Sequence, residues 1–326
     1  MKLIIGIVNW NTKELLEKCL CSLSRQKKRF SNGKLRKFSN KKGFDFVHVI
    51  VDNASEDGSV GMVKKKFPTV TVIQNNKNHG MAAGLNQIIK KYHAEYYLFL
   101  HPDTEVKNGV VKDMVAYLDA HPEVGIIGPH LVYPNGENFA SCHRFPTLCA
   151  LFLELFPISL AKALSFHGLY LRSIDYSKTR NVDIIASACF LVRKKCLAQC
   201  GVFDERFTSW MAEWDLCIRA KRNGWKIRYV PLGDVIHCEG QAEARGEKLL
   251  YKRYSYVIAD KMLSSLFLFY RKHYSSFSLA VLKAAVFLGL GAKILFYLPG
   301  SFLPSGKEAR ARVKAYVKTM EKYRRE

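Results

Sequence analysis

Acidic residues are scarce in this 326-residue chain: 28 Asp and Glu face 51 Lys and Arg, which leaves a formal charge of +23. Such a positive field attracts polyanions, and charge alone leaves nucleic acids, anionic lipid surfaces and phosphorylated substrates open. The sequence has no helix-turn-helix, zinc-finger or RNA-binding aromatic motif. We therefore expect no nucleic-acid partner, and a basic nucleic-acid-binding protein stays only as a remote alternative.

Paired cysteines and a secretory signal are also missing. The nine cysteines include no CxxC pair of the kind that binds zinc, so we expect reduced thiols packed as small apolar residues. The apolar run near the N-terminus is short and lacks a small-residue cleavage site. Both observations are typical of a cytoplasmic protein.

Short apolar runs alternate with helical patterns through the first 130 residues. Strands are predicted at 3–8, 46–51, 70–73, 96–100 and 124–127, and helices after Thr12 and at 59–67, 81–92 and 110–121. This alternation predicts an α/β fold with a mainly parallel central sheet and flanking helices. Ligands of such sheets bind beyond the carboxyl ends of the strands, so the polar residues there are the candidates.

The second half is less regular. We predict helices at 147–164 and 212–223, a strand at 184–192, and short strands at 226–230 and 235–237. Residues 25–42 hold nine Lys or Arg and no acid, which predicts a mobile surface loop.

The second strand runs into VDNASEDGS at residues 51–59. An aspartate at this position, Asp52, can accept hydrogen bonds from ribose hydroxyls or a pyrimidine N–H, and Asn53 can donate and accept beside it. The alternative is a polar turn at Asp57 and Gly58 that leads into a helix capped by Ser59.

The segment NKNHGMAAGLN at residues 76–86 contains the start of the third predicted helix, where small residues occupy positions 80 and 82–84. A glycine-rich helix start lets the backbone approach a phosphate, and the free N–H groups favour an anion. The segment is neither a GxGxxG nor a Walker loop, so tight packing of the helix on the sheet remains an equal alternative.

The strand at 96–100 leads into HPDT at residues 101–104. A carboxylate at this edge, Asp103, suits a hard divalent cation that bridges two phosphates, because Mg²⁺ and Mn²⁺ prefer oxygen ligands. A simple Pro-Asp turn is the alternative.

These motifs, together with IVNWN at residues 7–11, stand in the order and spacing of a known family. The sequence resembles family 2 glycosyltransferases of the GT-A fold, and their rhamnosyltransferase-like branch, which typically reads NPDT where this chain has His101. The resemblance continues through FDERF at 203–207, WDLCIR at 214–219 and VIH at 235–237. It covers about residues 1–240 and implies a nucleotide-diphospho-sugar transferase fold.

The resemblance also implies roles for individual residues. Asp52 is expected to bind the nucleoside, Asp103 the metal and diphosphate, and His237 the metal, which would be Mg²⁺ or Mn²⁺. The remaining residues expected to contact the nucleotide-sugar are Asn9, Asn11, Asn53, Asn78, Gly80, Gly84, Asn86 and His101.

The family's Glu-Asp pair, whose second acid is the general base, falls on Ala212 and Glu213. We expect Glu213 to be the base, with Asp215 as the alternative. An acceptor hydroxyl must lose its proton as it attacks, and a single base with a metal-bound leaving group implies inversion at the anomeric carbon. Ala212 and His101 depart from the family's pattern. The alternative that the protein is a catalytically weak scaffold that binds a glycan therefore stays open.

The resemblance divides the chain into a glycosyltransferase domain at 1–245 and a helical, basic, membrane-associating region at 246–326. Within the domain, 1–131 would bind the nucleotide-sugar and 132–245 the acceptor. The expected donor is dTDP-rhamnose or a UDP-sugar, and the expected acceptor is a lipid-linked saccharide of a cell-surface polysaccharide. The sequence names neither the sugar nor the linkage, nor the oligomeric state.

Residues 279–298 are apolar apart from Lys283 and Lys293. A spanning helix needs about 20 apolar residues, and a lysine near its centre is costly. We therefore expect a segment that lies on the inner, anionic face of the cell membrane, with a single span or a core helix as alternatives. Eight Lys or Arg from Lys307 onward and the basic loop at 25–42 would add electrostatic attraction.

Overall fold

The computed structural model describes residues 2–25, 46–153, 169–171, 174–208, 210–238, 251–303 and 306–324, with backbone only for 152–153 and 251–261. The chain divides into two units, residues 1–246 and 247–326. The predicted basic loop at 25–42 lies outside the described residues apart from Arg25, as does most of the predicted helix at 147–164.

The first unit alternates strands and helices. Its first ten elements are β1 (Leu3–Asn9), α1 (Lys13–Arg25), β2 (Phe46–Asp52), α2 (Ser59–Lys66), β3 (Thr71–Gln74), α3 (Met81–Lys91), β4 (Tyr96–Leu100), β5 (Thr104–Val106), α4 (Val110–Ala120) and β6 (Val124–Val132). The others are β7 (Cys142–His143), α5 (Leu148–Leu153), β8 (Arg180–Asn181), β9 (Ile184–Ile185), β10 (Cys189–Arg193), α6 (Lys194–Cys200), α7 (Ala212–Arg222) and β11 (Lys226–His237).

The main sheet has the strand order β3-β2-β1-β4-β10-β6-β11-β5, with β8 paired to β11. Strands β3, β2, β1 and β4 are all parallel, as the sequence predicts, and β6 and β11 are parallel too. Strands β10, β5 and β8 run antiparallel to their neighbours. The α/β class and the central sheet are confirmed, and the antiparallel insertions make the second half mixed.

Two predicted strands differ from the structure. The single strand predicted at 184–192 is wrong, because β9 pairs with β7 in a separate small sheet while β10 joins the main sheet. The two short strands predicted at 226–230 and 235–237 are one irregular strand, β11, whose register shifts between Tyr229 and Asp234. Periodicity alone shows neither change of partner, because both depend on distant strands.

The second unit contains three helices, α8 (Tyr251–His273), α9 (Ser276–Ser301) and α10 (Lys307–Arg324). Helix α9 is the one described helix that is long and apolar enough to cross a membrane. Only 6% of its most apolar stretch is buried, which is unlike the core helix of a soluble domain.

Candidate active site

Neighbouring strands bring Asn9 and Asp52 to one edge of the sheet. The two residues are register partners at the carboxyl ends of β1 and β2. The Asn9 amide donates to Asp52 Oδ2 at 2.8 Å, and the Ser55 backbone N–H donates to Asp52 Oδ1 at 2.9 Å. Both side chains are almost completely buried. These two hydrogen bonds fix the Asp52 carboxylate in position.

Ser55 joins Asn11 to the same network. Its hydroxyl accepts from the Asn9 amide at 3.1 Å and from the Asn11 backbone N–H at 2.9 Å. The Asn11 side chain accepts from the Glu56 N–H at 2.8 Å, and Asn11 has a positive φ of 54°. Hydrogen bonds thus connect the loop that follows β1 to the loop that follows β2.

Asn53 connects this edge to the glycine-rich segment. Its amide donates to the Gly80 carbonyl at 3.2 Å, and its Oδ1 accepts from the Asn75 side chain at 2.9 Å. The Gly80 N–H donates to Asn78 Oδ1 at 2.8 Å. Gly80 has a φ of 83°, and a Cβ there would lie 2.8 Å from the Thr208 carbonyl oxygen. Conformation and space both require glycine at this position.

Gly84 and Asn86 have structural contacts that explain their identity. A Cβ on Gly84 would lie 2.8 Å from Val8 Cγ2, so the glycine lets α3 pack closely on β1. The Asn86 amide donates to the Phe203 carbonyl and to Glu205 at 2.8 Å each, and its Oδ1 accepts from the Phe203 N–H at 3.0 Å. These contacts use the polar atoms of Asn86 to hold residues 203–205 against α3.

His101, Asp103 and His237 converge beside this edge. Asp103 lies between β4 and β5, and His237 ends β11, where it is the register partner of Thr104. One ligand-type atom of each residue lies within 4.8 Å of the other two. His101 Nε2, Asp103 Oδ1 and His237 Nδ1 are buried without a hydrogen-bond partner. Buried polar atoms without partners are rare, and here they gather in a candidate metal site.

The protonation states suit metal binding. Burial lowers the pKa of His101 to about 4, although the Asp103 carboxylate opposes this shift. Burial raises the pKa of Asp103, but the neighbouring imidazoles of His237 and His101 outweigh it and leave the pKa below its ordinary value. At neutral pH the site therefore presents a carboxylate and a neutral imidazole, the forms that bind metal ions.

Glu213 lies in the first turn of α7, after Met211, whose φ of 69° is left-handed. The residue is 8% exposed, and its Oε2 has no hydrogen-bond partner. Burial raises the pKa of Glu213 to about 7, against an opposing hydrogen bond from Ser187. A carboxyl group whose pKa is raised towards neutrality can take up a proton at neutral pH, which suits a general base.

The segment between β9 and β10 connects Glu213 to the candidate metal site. Ser187 hydrogen-bonds to the Glu213 carboxyl, and the carbonyl of Ala188 accepts from the His101 N–H at 2.9 Å. Adjacent residues thus contact the base candidate and a metal-ligand candidate. Ser187 and Ala188 lie where the chain passes from β9 in the small sheet to β10 in the main sheet.

Asp215 is held differently from Glu213. It is completely buried, and Oδ2 forms an ion pair with Arg219 at 2.8 Å to Nη2 and 2.9 Å to Nε. Arg219 also donates to the carbonyls of Cys200, Gly201 and Val202 near the end of α6. Asp215 therefore anchors the arginine that joins α7 to the end of α6.

The structure adds residues that sequence reasoning missed. Ser55 connects Asn9 and Asn11, Ser187 contacts Glu213, and the Phe139 ring packs edge-on against His237 at 4.9 Å. Ser55 lies within the motif VDNASEDGS, so the sequence could have indicated that it belongs to the site. Ser187 and Phe139 had no such signal, because their contacts depend on tertiary structure.

The fold and this site define a glycosyltransferase of the GT-A type. Residues 4–201 match the family described as Glycosyl transferase family 2, and the chain belongs to that family. The predicted family and enzyme class are confirmed.

Relatives in sequence and structure agree with this assignment. The N-acetylglucosaminyl-diphospho-decaprenol L-rhamnosyltransferase of Mycobacterium tuberculosis is 23% identical over an alignment of 208 residues that covers 60% of this chain and 68% of the relative. The mannosyltransferase PcManGT from Pyrobaculum calidifontis, solved with GDP-Man and Mn²⁺, has a TM-score of 0.54 at 14% identity, covering 98% of this chain and 87% of that chain. The 1–349 fragment of S. aureus TarS has a TM-score of 0.51 at 16% identity, covering 100% and 92%.

Proposed function

We propose that the protein transfers a sugar from a nucleoside diphosphate sugar to a hydroxyl of a lipid-linked glycan, with a divalent cation held by His101, Asp103 and His237. The observation that carries this proposal is the convergence of ligand-type atoms from these residues, each residue having a buried atom without a hydrogen-bond partner. Two imidazoles beside one carboxylate favour Mn²⁺ over Mg²⁺, which prefers an all-oxygen shell. The bound cation would offset the charge that develops on the leaving diphosphate.

The donor's nucleoside is assigned to the edge formed by β1 and β2. Asp52 is buried and braced by Asn9 and Ser55, so it can accept from the nucleoside without reorganising. The diphosphate is assigned between Asp103 and the start of α3 after Gly80, because the first N–H groups of a helix favour an anion. Gly84 and Asn86 are left out of the donor site, because their contacts hold α3 in place.

Glu213 is assigned as the general base, and Asp215 as its structural neighbour. The Glu213 carboxyl is not committed to a cation, whereas Asp215 is paired with Arg219. In the reaction, Glu213 takes the proton of the acceptor hydroxyl while the hydroxyl oxygen attacks the anomeric carbon. The bond to the nucleoside diphosphate breaks on the opposite side, so one displacement inverts the configuration.

The mycobacterial relative supports the substrate classes. Its name specifies an L-rhamnosyltransferase that acts on a diphospho-decaprenol-linked sugar. We therefore propose dTDP-rhamnose, with a UDP-sugar as the other donor, and a polyprenyl-diphosphate-linked saccharide as the acceptor. Such an acceptor is held in a bilayer, which supports a protein attached peripherally to the cytoplasmic face of the cell membrane.

The test is release of nucleoside diphosphate from a panel of dTDP-, UDP- and GDP-sugars by the purified full chain, with Mn²⁺, Mg²⁺ or EDTA. We expect release from one pyrimidine nucleotide-sugar with Mn²⁺ and none with EDTA. Addition of a short-chain lipid diphosphate saccharide should convert release into transfer, with an inverted linkage detectable by NMR. Glycan binding without turnover of any donor would favour the scaffold alternative.

A further inference from the structure

Helix α9 presents a continuous apolar face. Phe277, Val281, Leu288 and Leu295 are 37–77% exposed, which is unusual for large apolar side chains in one row. At 3.6 residues per turn their spacing places them within about 40° of one another around the helix. The row extends over most of the 26 residues of the helix.

The two lysines of this helix lie away from that face. Lys283 Nζ is 5.7 Å from the ring centroid of Phe267 on α8, and Lys293 Nζ is 5.8 Å from that of Tyr316 on α10. Each lysine is about 140° from Leu288 around the helix. The two lysine charges, which disfavour membrane insertion, therefore lie near aromatic rings of neighbouring helices.

We propose that α9 lies in the plane of a membrane, with this face inserted into the hydrocarbon of one leaflet and its two lysines on the side towards α8 and α10. The inference rests on the proposed membrane location and specifies how the attachment is made. A helix of 26 residues is about 39 Å long, so an in-plane helix offers a long, narrow apolar surface.

The contacts of α10 argue against a membrane span. Helix α10 packs along α9, with Arg312 stacked over the Tyr297 ring at 5.0 Å and Tyr316 at 6.3 Å from the same ring. It carries seven basic and two acidic residues. If α9 crossed the bilayer, α10 would be carried beside it into hydrocarbon, where charged side chains are strongly disfavoured. In the in-plane arrangement these charges remain among headgroups and water.

Charge also favours lipid over a second copy of the chain on this face. The chain has a formal charge of +23, so two copies repel each other, whereas an anionic leaflet attracts either one. The apolar row then supplies attachment that salt does not remove.

Vesicle flotation of the full chain tests the attachment. We expect binding to neutral phosphatidylcholine vesicles that persists at 1 M salt, and tighter binding when phosphatidylglycerol is added. The double variant Leu288→Glu, Leu295→Glu should bind neutral vesicles at least tenfold more weakly. The matched control is Val317→Glu on α10, an exposed apolar position outside the face, which should bind as the parent does.

Tryptophan depth measurements test the orientation. Phe277→Trp, Leu288→Trp and Leu295→Trp are compared in vesicles with bromine at different acyl-chain depths, with the parent protein as the reference for the four native tryptophans. An in-plane helix gives all three positions similar, shallow depths. A spanning helix places Leu288→Trp much deeper than Phe277→Trp, and that result would overturn the proposal.

Two further results separate this inference from the proposed function. Donor hydrolysis by the glutamate variants should equal that of the parent, so loss of vesicle binding alone supports the apolar face. Parent protein that binds no vesicle, but forms a dimer that the glutamate variants dissolve, would make the face an interface between copies and overturn the proposal. Equal vesicle binding by parent and glutamate variants, with helix content unchanged by circular dichroism, would also overturn it.

Discussion

His237 Nε2 lies 3.5 Å from Asp103 Oδ1, although the two residues come from distant parts of the sequence. They meet because β11 pairs with β5, which begins directly after Asp103. Both residues are only 6% exposed, and a charged group buried this deeply needs a partner or a metal ion.

We expect Asp103→Ala and His237→Ala each to abolish Mn²⁺ binding and transfer while the protein remains folded. Each variant removes one ligand from a three-residue set. Isothermal titration with Mn²⁺ and a donor-release assay measure the two effects. His130→Ala is the matched control, since that histidine hydrogen-bonds Asp234 and Asn138 and should leave Mn²⁺ affinity unchanged. Full activity of Asp103→Ala, or of the parent in EDTA, would refute the assignment.

Glu213→Gln should lower kcat by about 10²-fold or more, the scale on which a general base contributes. The KM for the donor should stay within about twofold of the parent value, because the base acts on the acceptor. Steady-state kinetics at saturating Mn²⁺ separate the two constants.

Asp215→Asn is the comparison for that variant. Breaking its buried ion pair with Arg219 should destabilise the fold by roughly 3–5 kcal/mol, measured by urea denaturation. If Asp215→Asn folds normally and loses turnover while Glu213→Gln is active, the base is Asp215.

The pH profile of kcat reports on Glu213. Because a base must be ionised and burial raises the pKa of Glu213 to about 7, kcat should fall about tenfold per pH unit below that value. Ser187→Ala removes a hydrogen bond that lowers this pKa, so the acid limb should move to higher pH. A limb near the ordinary glutamate value that does not respond to Ser187→Ala would contradict the prediction.

Asn86→Ala and Asp52→Ala should differ in what they impair. Asn86→Ala leaves the Phe203 backbone groups without their partner, which should cost about 1–3 kcal/mol of unfolding free energy with little change in donor KM. Asp52→Ala should raise donor KM at least tenfold, because the nucleoside loses an acceptor. Denaturation and donor titration of both variants make the comparison, and an Asn86→Ala variant with normal stability and a raised KM would return Asn86 to the donor site.

Local pattern predicted most of the first half of the fold. The strands at β1, β2 and β4 are short apolar runs bounded by polar residues, and their parallel pairing follows from the helices between them. The strand ends at Asp52 and Asp103 were visible for the same reason. Short strands such as β5 and β8 are too brief to show periodicity, and their existence depends on pairing with β11.

The distinction between Glu213 and Asp215 was beyond the sequence. Glu213 and Asp215 lie two residues apart in one helical turn, and both are acidic and buried. What separates them is Arg219, one turn further along α7, whose guanidinium also holds the end of α6. Similarly, the sequence shows that α9 contains two lysines, but only the packing of α8 and α10 shows where their charges are directed.

The three residues between β9 and β10 limit how the enzyme can be re-engineered. Ser187 and Ala188 form a turn between the two strands, so one inserted residue there would change the turn and shift Ser187 and Ala188 relative to Glu213 and His101. Exchange of loops between related enzymes should therefore preserve turnover only when the junctions leave residues 186–188 intact.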